Sequence, residues 1–214
     1  MPDRVRVLIV EDEHVVAERL RAALAAEPDL DMIAVIGDVA DALASMDETL
    51  PDVVVVDEGL ADPDGTQAVA VLLQSRPGVV VILLAADTTS EVMARALEAG
   101  IAGFVARSDP APVVVDAIRV AATGEAVFDP NRLAAVAGYL PLVAAPGLSA
   151  REIEILQLLA DGHSTADIVE QLYLSLHTVR NHIRNASTKL DAHSRLEAVA
   201  KASRLGLVSL QPTL

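Results

Sequence analysis

The 214-residue chain is 52% hydrophobic, 2% aromatic and free of cysteine, so it can bury a core of Ala, Val and Leu but offers neither a disulfide framework nor a thiolate metal site. Its net charge of −15 argues against a nucleic-acid partner only when averaged: residues 1–147 carry 9 basic and 24 acidic side chains, residues 148–214 carry 7 of each, and from Ser175 onward 6 basic groups stand against 2 acidic. No apolar stretch reaches the length of a membrane span, the best candidate, Val69 to Ala86, being broken by Gln74-Ser75-Arg76-Pro77-Gly78, and Met1-Pro2-Asp3-Arg4-Val5 lacks the form of a signal peptide. A soluble, cytoplasmic protein without a membrane partner is expected.

In chain order, Val5–Val10, Met32–Ile36, Val53–Val56, Val79–Leu84 and Gly103–Ala106 read as strands. Amphipathic helical patterns lie between them, among them Val15 to Ala26 and Glu91 to Ala99. The last has Asp109 as its N-cap, Pro110 at the first helical position and Gly124 just past its end. Strands alternating with helices imply a parallel sheet covered on both faces, linked by right-handed crossovers. The third strand is informative, because four consecutive valines run directly into Asp57. An unbroken β-branched run suits a strand buried on both faces, and open parallel sheets place their chemistry at the carboxyl ends of such strands.

Residues 125–147 break the rhythm with Pro130, Pro141, Pro146 and Gly147, which marks an interdomain linker with a short helix from Asn131 to Tyr139. From residue 148 the period becomes helical. Three starts carry capping-box spacing, Ser149…Glu152, Ser164…Asp167 and Ser194…Glu197, so a compact helical domain is predicted, with Gly206 as its last C-terminal stop. Ser164 to Leu190 has the form helix, turn, helix: Thr165 to Leu172, then Tyr173-Leu174-Ser175, then a helix capped by Ser175. Along that second helix Val179, Ile183, Ala186 and Leu190 form one buried face, which leaves Arg180, Asn181 and Arg184 outside it. Recognition helices touch base edges with their N-terminal half, and arginine to guanine is the commonest specific contact.

Two resemblances sharpen this reading. Val7-Leu8-Ile9-Val10-Glu11-Asp12-Glu13, then Pro51-Asp52-Val53-Val54-Val55-Val56-Asp57, then Asp64-Gly65, resembles over residues 4–124 the receiver domain of two-component response regulators. The resemblance implies a flavodoxin-like α/β fold with a five-stranded parallel sheet of order 2-1-3-4-5. In that order the first and third strands are neighbours, and Glu11, Asp12 and Asp57 converge in one crevice. Three carboxylates so close need a cation or a raised pKa, and Mg²⁺ is held in this way by carboxylates and a phosphate. The family implies Asp57 as phosphoacceptor and Glu11, Asp12, Asp57 and the backbone carbonyl of Gly59 as ligands of Mg²⁺.

The switch positions depart from the family. Its lysine after the fifth strand is Arg107, although the preceding aromatic is present as Phe104, and its Thr or Ser ending the fourth strand is Ala85. Thr88, Thr89 or Ser90 could supply the missing hydroxyl from a shifted loop. The proline usual four residues after the acceptor is replaced by Ala61.

The second resemblance rests on Leu148-Ser149-Ala150-Arg151-Glu152-Ile153-Glu154-Ile155-Leu156, Asp161-Gly162-His163-Ser164, Leu174-Ser175, Thr178-Val179-Arg180-Asn181-His182-Ile183 and Lys189-Leu190, which together look like the LuxR-type helix-turn-helix domain over residues 148–206. The pair of domains resembles the NarL/FixJ class. By position, Arg180, Asn181 and Arg184 would face the major groove, with Thr178 and Lys189 as phosphate contacts, and His177 in place of the more usual basic or small residue. In this class the last helix pairs two domains on DNA, and Leu196, Val199 and Ala200 supply either that face or the core. His163, His177 and His182 lack metal-ligand spacing, and His14 reads as a solvated helix-start residue.

The expectation is therefore a receiver domain over 1–124, a linker over 125–147 and an all-α helix-turn-helix domain over 148–214. The chain would be a DNA-binding transcriptional regulator and not an enzyme. Its partners would be double-stranded promoter DNA, a sensor histidine kinase or other input protein, RNA polymerase, and a second copy of itself in a homodimer. A rival keeps the fold but makes the first domain a pseudo-receiver, regulated by protein or ligand contact, with Arg107 paired to Asp57. A remote alternative takes Asp62-Pro63-Asp64-Gly65-Thr66 as the signature of a haloacid dehalogenase-type phosphatase, although there the nucleophile should directly end a strand and here Asp57 does so.

Overall fold

The computed structural model describes residues 4–60, 65–76, 78–85, 90–140 and 147–210. Contacts divide the chain into two compact units, Met1–Thr88 with Ala99–Val127, and Thr89–Glu98 with Phe128–Leu214.

In the first unit β1 (Val5–Val10), β2 (Leu30–Ile36), β3 (Val53–Asp57), β4 (Val80–Ala85) and β5 (Gly103–Ala106) form one parallel sheet in the order β2-β1-β3-β4-β5. The register sets Val10 beside Val56 and Asp57 beside Leu84, so the carboxyl ends of β1, β3 and β4 finish level. Every residue of β3 is at most 1% exposed. Its side chains alternate: Val53 and Val55 join a core with α1 (His14–Ala25) and α5 (Ala111–Ala122), through Leu20, Leu24, Val114 and Ile118. Val54 and Val56 are equally buried on the other face, where α2 (Val39–Thr49) and α3 (Gly65–Ser75) cover β2, β3 and β4. The four-valine run reads as a strand because nothing in it has to face water. By its contacts, α4 (Ser90–Ala99) groups up to Glu98 with the second unit.

One helix start differs from expectation. Asp109 does not cap α5, because its carboxylate accepts the Ala106 N–H (2.8 Å) at the end of β5. The extended Pro110 (φ −56°, ψ 142°) precedes the helix, which begins at Ala111. Spending its acid on β5 pins the loop in which Arg107 lies.

The second unit is helical: α6 (Pro130–Ala137), α7 (Ala150–Ala160), α8 (Thr165–Leu172), α9 (Leu176–Lys189) and α10 (Arg195–Arg204). Ser149 with Glu152 and Ser164 with Asp167 form complete capping boxes. Ser194 caps α10, but Glu197 reaches one residue further back, to the N–H of His193 (2.6 Å), so the third box is not reciprocal. Tyr173 ends α8 in the left-handed conformation (φ 53°). That tight reversal lets Ser175 cap α9 two residues later. Leu196, Val199 and Ala200 are 0% exposed, within a run from Leu196 to Ala202 that is buried throughout, and α10 packs against α6, α7 and α9. Of the two roles open to these three residues, the structure gives them core packing.

Gly103 is a point of close approach. A Cβ there would stand 2.5 Å from both Cβ and O of Val127, whose N–H and C=O bond to Ala102 and Phe104. Gly103→Ala should therefore lower the stability of the protein by about 1–3 kcal/mol, read as a lower denaturant midpoint with the slope unchanged.

Candidate functional site

The acidic pocket is built by two strand ends and one loop. Glu11 directly follows β1 and Asp57 ends β3, and each is buried, at 3% and 1% exposure, whereas Asp12 is exposed. One ligand atom from each of Glu11, Asp12 and Asp57 lies within 4.8 Å of the others, the only such group of potential metal ligands among the described residues. Gly59 donates its N–H to Asp57 Oδ2 (2.9 Å), and a Cβ at Gly59 would lie 2.9 Å from that same oxygen. The absence of a side chain at 59 is thus what admits the carboxylate. Glu11 Oε1 accepts the N–H of Glu13 (2.8 Å), which leaves Glu11 Oε2 and Asp57 Oδ1 buried without a hydrogen bond.

Arg107 closes the pocket from the loop after β5. Its guanidinium donates to Glu13 Oε2 (2.7 Å), approaches Glu11 Oε1 at 3.5 Å, and places Nε 3.3 Å from Asp57 Oδ1, an ion pair not aligned as a hydrogen bond. Its main chain is fixed: the N–H bonds to Ala85 O (2.7 Å) and the C=O accepts from Arg19 (2.8 Å). Ala85 and Phe104 are buried at the ends of β4 and within β5. Residues 86–89, with Thr88 and Thr89, and the side chain of Ser90 lie outside the described residues, as do Ala61 and Asp62 to Asp64. Glu13 and Arg19 were not legible as members of the site. The third acid of Glu11-Asp12-Glu13 was a signal for the first; Arg19 had none.

Electrostatics follow the burial. Desolvation pushes Glu11 up to about 7, reinforced by Asp57 and Asp12 and opposed by the Glu13 N–H and Arg107. Desolvation also raises Asp57, against the pull of Arg107 and the Gly59 N–H.

In the second unit Val179, Ile183, Ala186 and Leu190 are buried, as the spacing predicts, and turn the other side of α9 outward. Arg180 and Arg184 are exposed, and Thr178 and Asn181 are partly so. Asn181 bridges its neighbours one turn either way, contacting His177 Nε2 (2.9 Å) and accepting from Arg184 (2.8 Å). Tyr173, 95% exposed, stands at the turn that leads into this face. Lys189 is engaged otherwise: its ammonium binds both oxygens of the buried Glu152, at 3.0 and 2.7 Å, tying α9 to the start of α7. Burial alone would raise Glu152, but the bonds from Lys189 and Ser149 outweigh it and hold the carboxyl low. That pair joins residues 37 apart and left no local sequence signal.

A doubly wound parallel sheet with acids at the ends of β1 and β3, and a second unit with a turn-linked recognition helix, define a receiver-containing DNA-binding regulator. Residues 7–119 match the family described as the response regulator receiver domain, and residues 146–202 match the bacterial regulatory proteins of the luxR family. Response regulator protein VraR of Staphylococcus aureus is 28% identical over 206 residues, covering 95% of this chain and 99% of its own. The transcriptional regulatory protein YxjL of Bacillus subtilis is 30% identical over 215 residues, covering 96% and 98%. Among solved structures, the response regulator ChrA of a heme-sensing two-component system superposes with a TM-score of 0.54 at 28% identity, covering 95% of this chain and 98% of that one. The chain belongs to the LuxR-type (NarL/FixJ) response regulators, DNA-binding proteins that join a receiver to a helix-turn-helix domain.

The raised pKa of Glu11 fixes a sign. Between the ordinary value near 4.5 and about 7 the unfolded chain releases a proton that the folded chain keeps, so stability falls as pH rises through that window. Glu11→Gln should match wild type near pH 4 and be the more stable by on the order of 2–3 kcal/mol near pH 8, checked by denaturant melts at both values without divalent cations.

Proposed function

We propose that this regulator is switched by phosphoryl transfer to Asp57, with a divalent cation, Mg²⁺, held by Glu11, Asp12 and Asp57 and by the backbone carbonyl of Gly59. The observation that carries the reading is the convergence of three carboxylates in which two buried oxygens, Glu11 Oε2 and Asp57 Oδ1, receive no hydrogen bond. Hard oxygen donors of this number and charge suit Mg²⁺, which keeps its other positions for water and phosphate oxygens. A bound cation would neutralise charge on the phosphoryl oxygens. Asp57 would attack phosphorus with one carboxylate oxygen while the bond from phosphorus to the imidazole nitrogen of a kinase phosphohistidine breaks, its electron pair leaving with the imidazole. The Gly59 N–H orients the other oxygen (2.9 Å). Residues 1–124 would act as the receiver, 125–147 as linker and 148–214 as the DNA-binding domain.

The output would be recognition of double-stranded promoter DNA by a homodimer. Arg180, Asn181 and Arg184 would read the major groove, and Thr178 would contact phosphate. Lys189, tied to Glu152, supports a role in holding α9 in place more than one on DNA. A sensor histidine kinase or other input protein would act on the receiver, and RNA polymerase on the DNA-bound form, in the cytoplasm. No helix among the described residues is long and apolar enough to cross a membrane. The role would be regulatory and not that of an enzyme, a reading supported by β3 ending on Asp57. A pseudo-receiver remains the second reading, favoured by one observation, the ion pair of Arg107 with Asp57.

Acetyl phosphate with Mg²⁺ should add one phosphoryl group to the intact protein by mass spectrometry, and none to Asp57→Asn. An unmodified wild type would favour the pseudo-receiver. Arg180→Ala should weaken binding to the specific promoter by about 1–3 kcal/mol while leaving the melting transition in place, measured by fluorescence anisotropy at fixed salt.

A further inference from the structure

We propose that Arg107 is the resident counter-cation of the acidic pocket: it neutralises Asp57 and Glu11 in the metal-free state, competes with Mg²⁺ for them, and withdraws onto Glu13 when the ion enters. The inference rests on the pocket being the metal-assisted phosphoacceptor site proposed above.

Four observations carry it. The guanidinium already spans both positions, hydrogen-bonded to Glu13 at 2.7 Å at one end and only charge-paired with Asp57 at 3.3 Å at the other. The inner contact is thus the looser one, and the outer anchor is solvent-facing, with the Glu13 side chain 55% exposed. The main chain of Arg107 is clamped by Ala85 and Arg19, so only its side chain has to move. Two of its described neighbours leave it room: Ala85 carries a single methyl group, and Gly59 has no side chain where a Cβ would lie 3.3 Å from Arg107 Nη1. Finally, Asp57 Oδ1 and Glu11 Oε2 are buried without hydrogen bonds, so these two oxygens have only nearby charge to compensate them.

The chemistry gives the competition its direction. A guanidinium stays protonated at every physiological pH, so it cannot be switched off in place and has to be displaced. A fixed positive charge a few ångströms from the same oxygens opposes a dication directly, in a site screened from water. The regulator would therefore rest without metal, and its phosphoryl acceptance would require a higher free Mg²⁺ concentration than a pocket lacking Arg107.

The test is titration of the full chain with MgCl₂, followed by calorimetry and by the shift in melting temperature. Arg107→Ala and the bulkier Arg107→Gln should each bind Mg²⁺ at least about tenfold more tightly than wild type, and be stabilised more by it, because a unit charge is removed from beside the ligands. Glu13→Gln should weaken Mg²⁺ binding in the wild type but not in the Arg107→Ala background, since its effect acts through Arg107. Equal affinity in wild type and both Arg107 variants overturns the counter-cation role while leaving the metal site standing. No Mg²⁺ binding by any of these chains at millimolar concentration overturns the inference and the metal-assisted reading together. If an Arg107 variant folds only with Mg²⁺ present, that dependence is itself the predicted loss of the internal cation.

Discussion

A carboxylate at the end of a strand buried on both faces has to find positive charge, and much of the first unit is arranged by that need. β3 leaves Asp57 1% exposed, and the register of β1 brings Glu11 beside it. Two acids removed from water would each rather be protonated, which is why Glu11 is pushed to about 7. The compensating charge comes from two strands away. Strands in a sheet lie about 4.8 Å apart, so a side chain from the end of β5 has to cross the end of β4 to reach β3. An arginine is long enough, and Ala85 at the end of β4 does not stand in the way.

The second unit solves a different problem, that of presenting cations without losing the fold that holds them. Its exposed arginines sit on α9, whose buried face is apolar and whose end is secured by Lys189 on Glu152. The same carboxylate completes the capping box at Ser149. One buried acid thus serves both the start of α7 and the end of α9, so the outward face is positioned by an interaction far from it. The link from Arg184 through Asn181 to His177 holds polar side chains over that face before any partner arrives.

Much of this was legible in the sequence, for physical reasons. The parallel sheet followed from buried valine runs alternating with amphipathic patterns, its strand order came from the resemblance to receiver domains, and α8, Tyr173 to Ser175 and the apolar seam of α9 followed from caps and period. The acids of the pocket were visible because they end strands. What failed to show were the pairings over distance. Asp109 has the local form of a helix cap, yet it bonds to the Ala106 N–H of β5, and Pro110 stays extended ahead of the helix. Glu197 had capping-box spacing but met His193 instead. Leu196, Val199 and Ala200 form an apolar stripe whose burial depends on α6 and α7, which no local pattern specifies. Arg107 could be singled out as a departure, but its hold on Glu13 could not.

The contact between Gly103 and Val127 has a consequence for how these molecules behave in company. β5 is one of the two outer strands of the sheet, and its unpaired backbone would offer a template to any other extended chain. Val127 lies alongside it as a single parallel bridge, taking the N–H of Phe104 and giving its own to Ala102. A segment too short to be a strand thus caps part of the margin, so that crowding of nascent or stressed chains has less bare edge along which to polymerise.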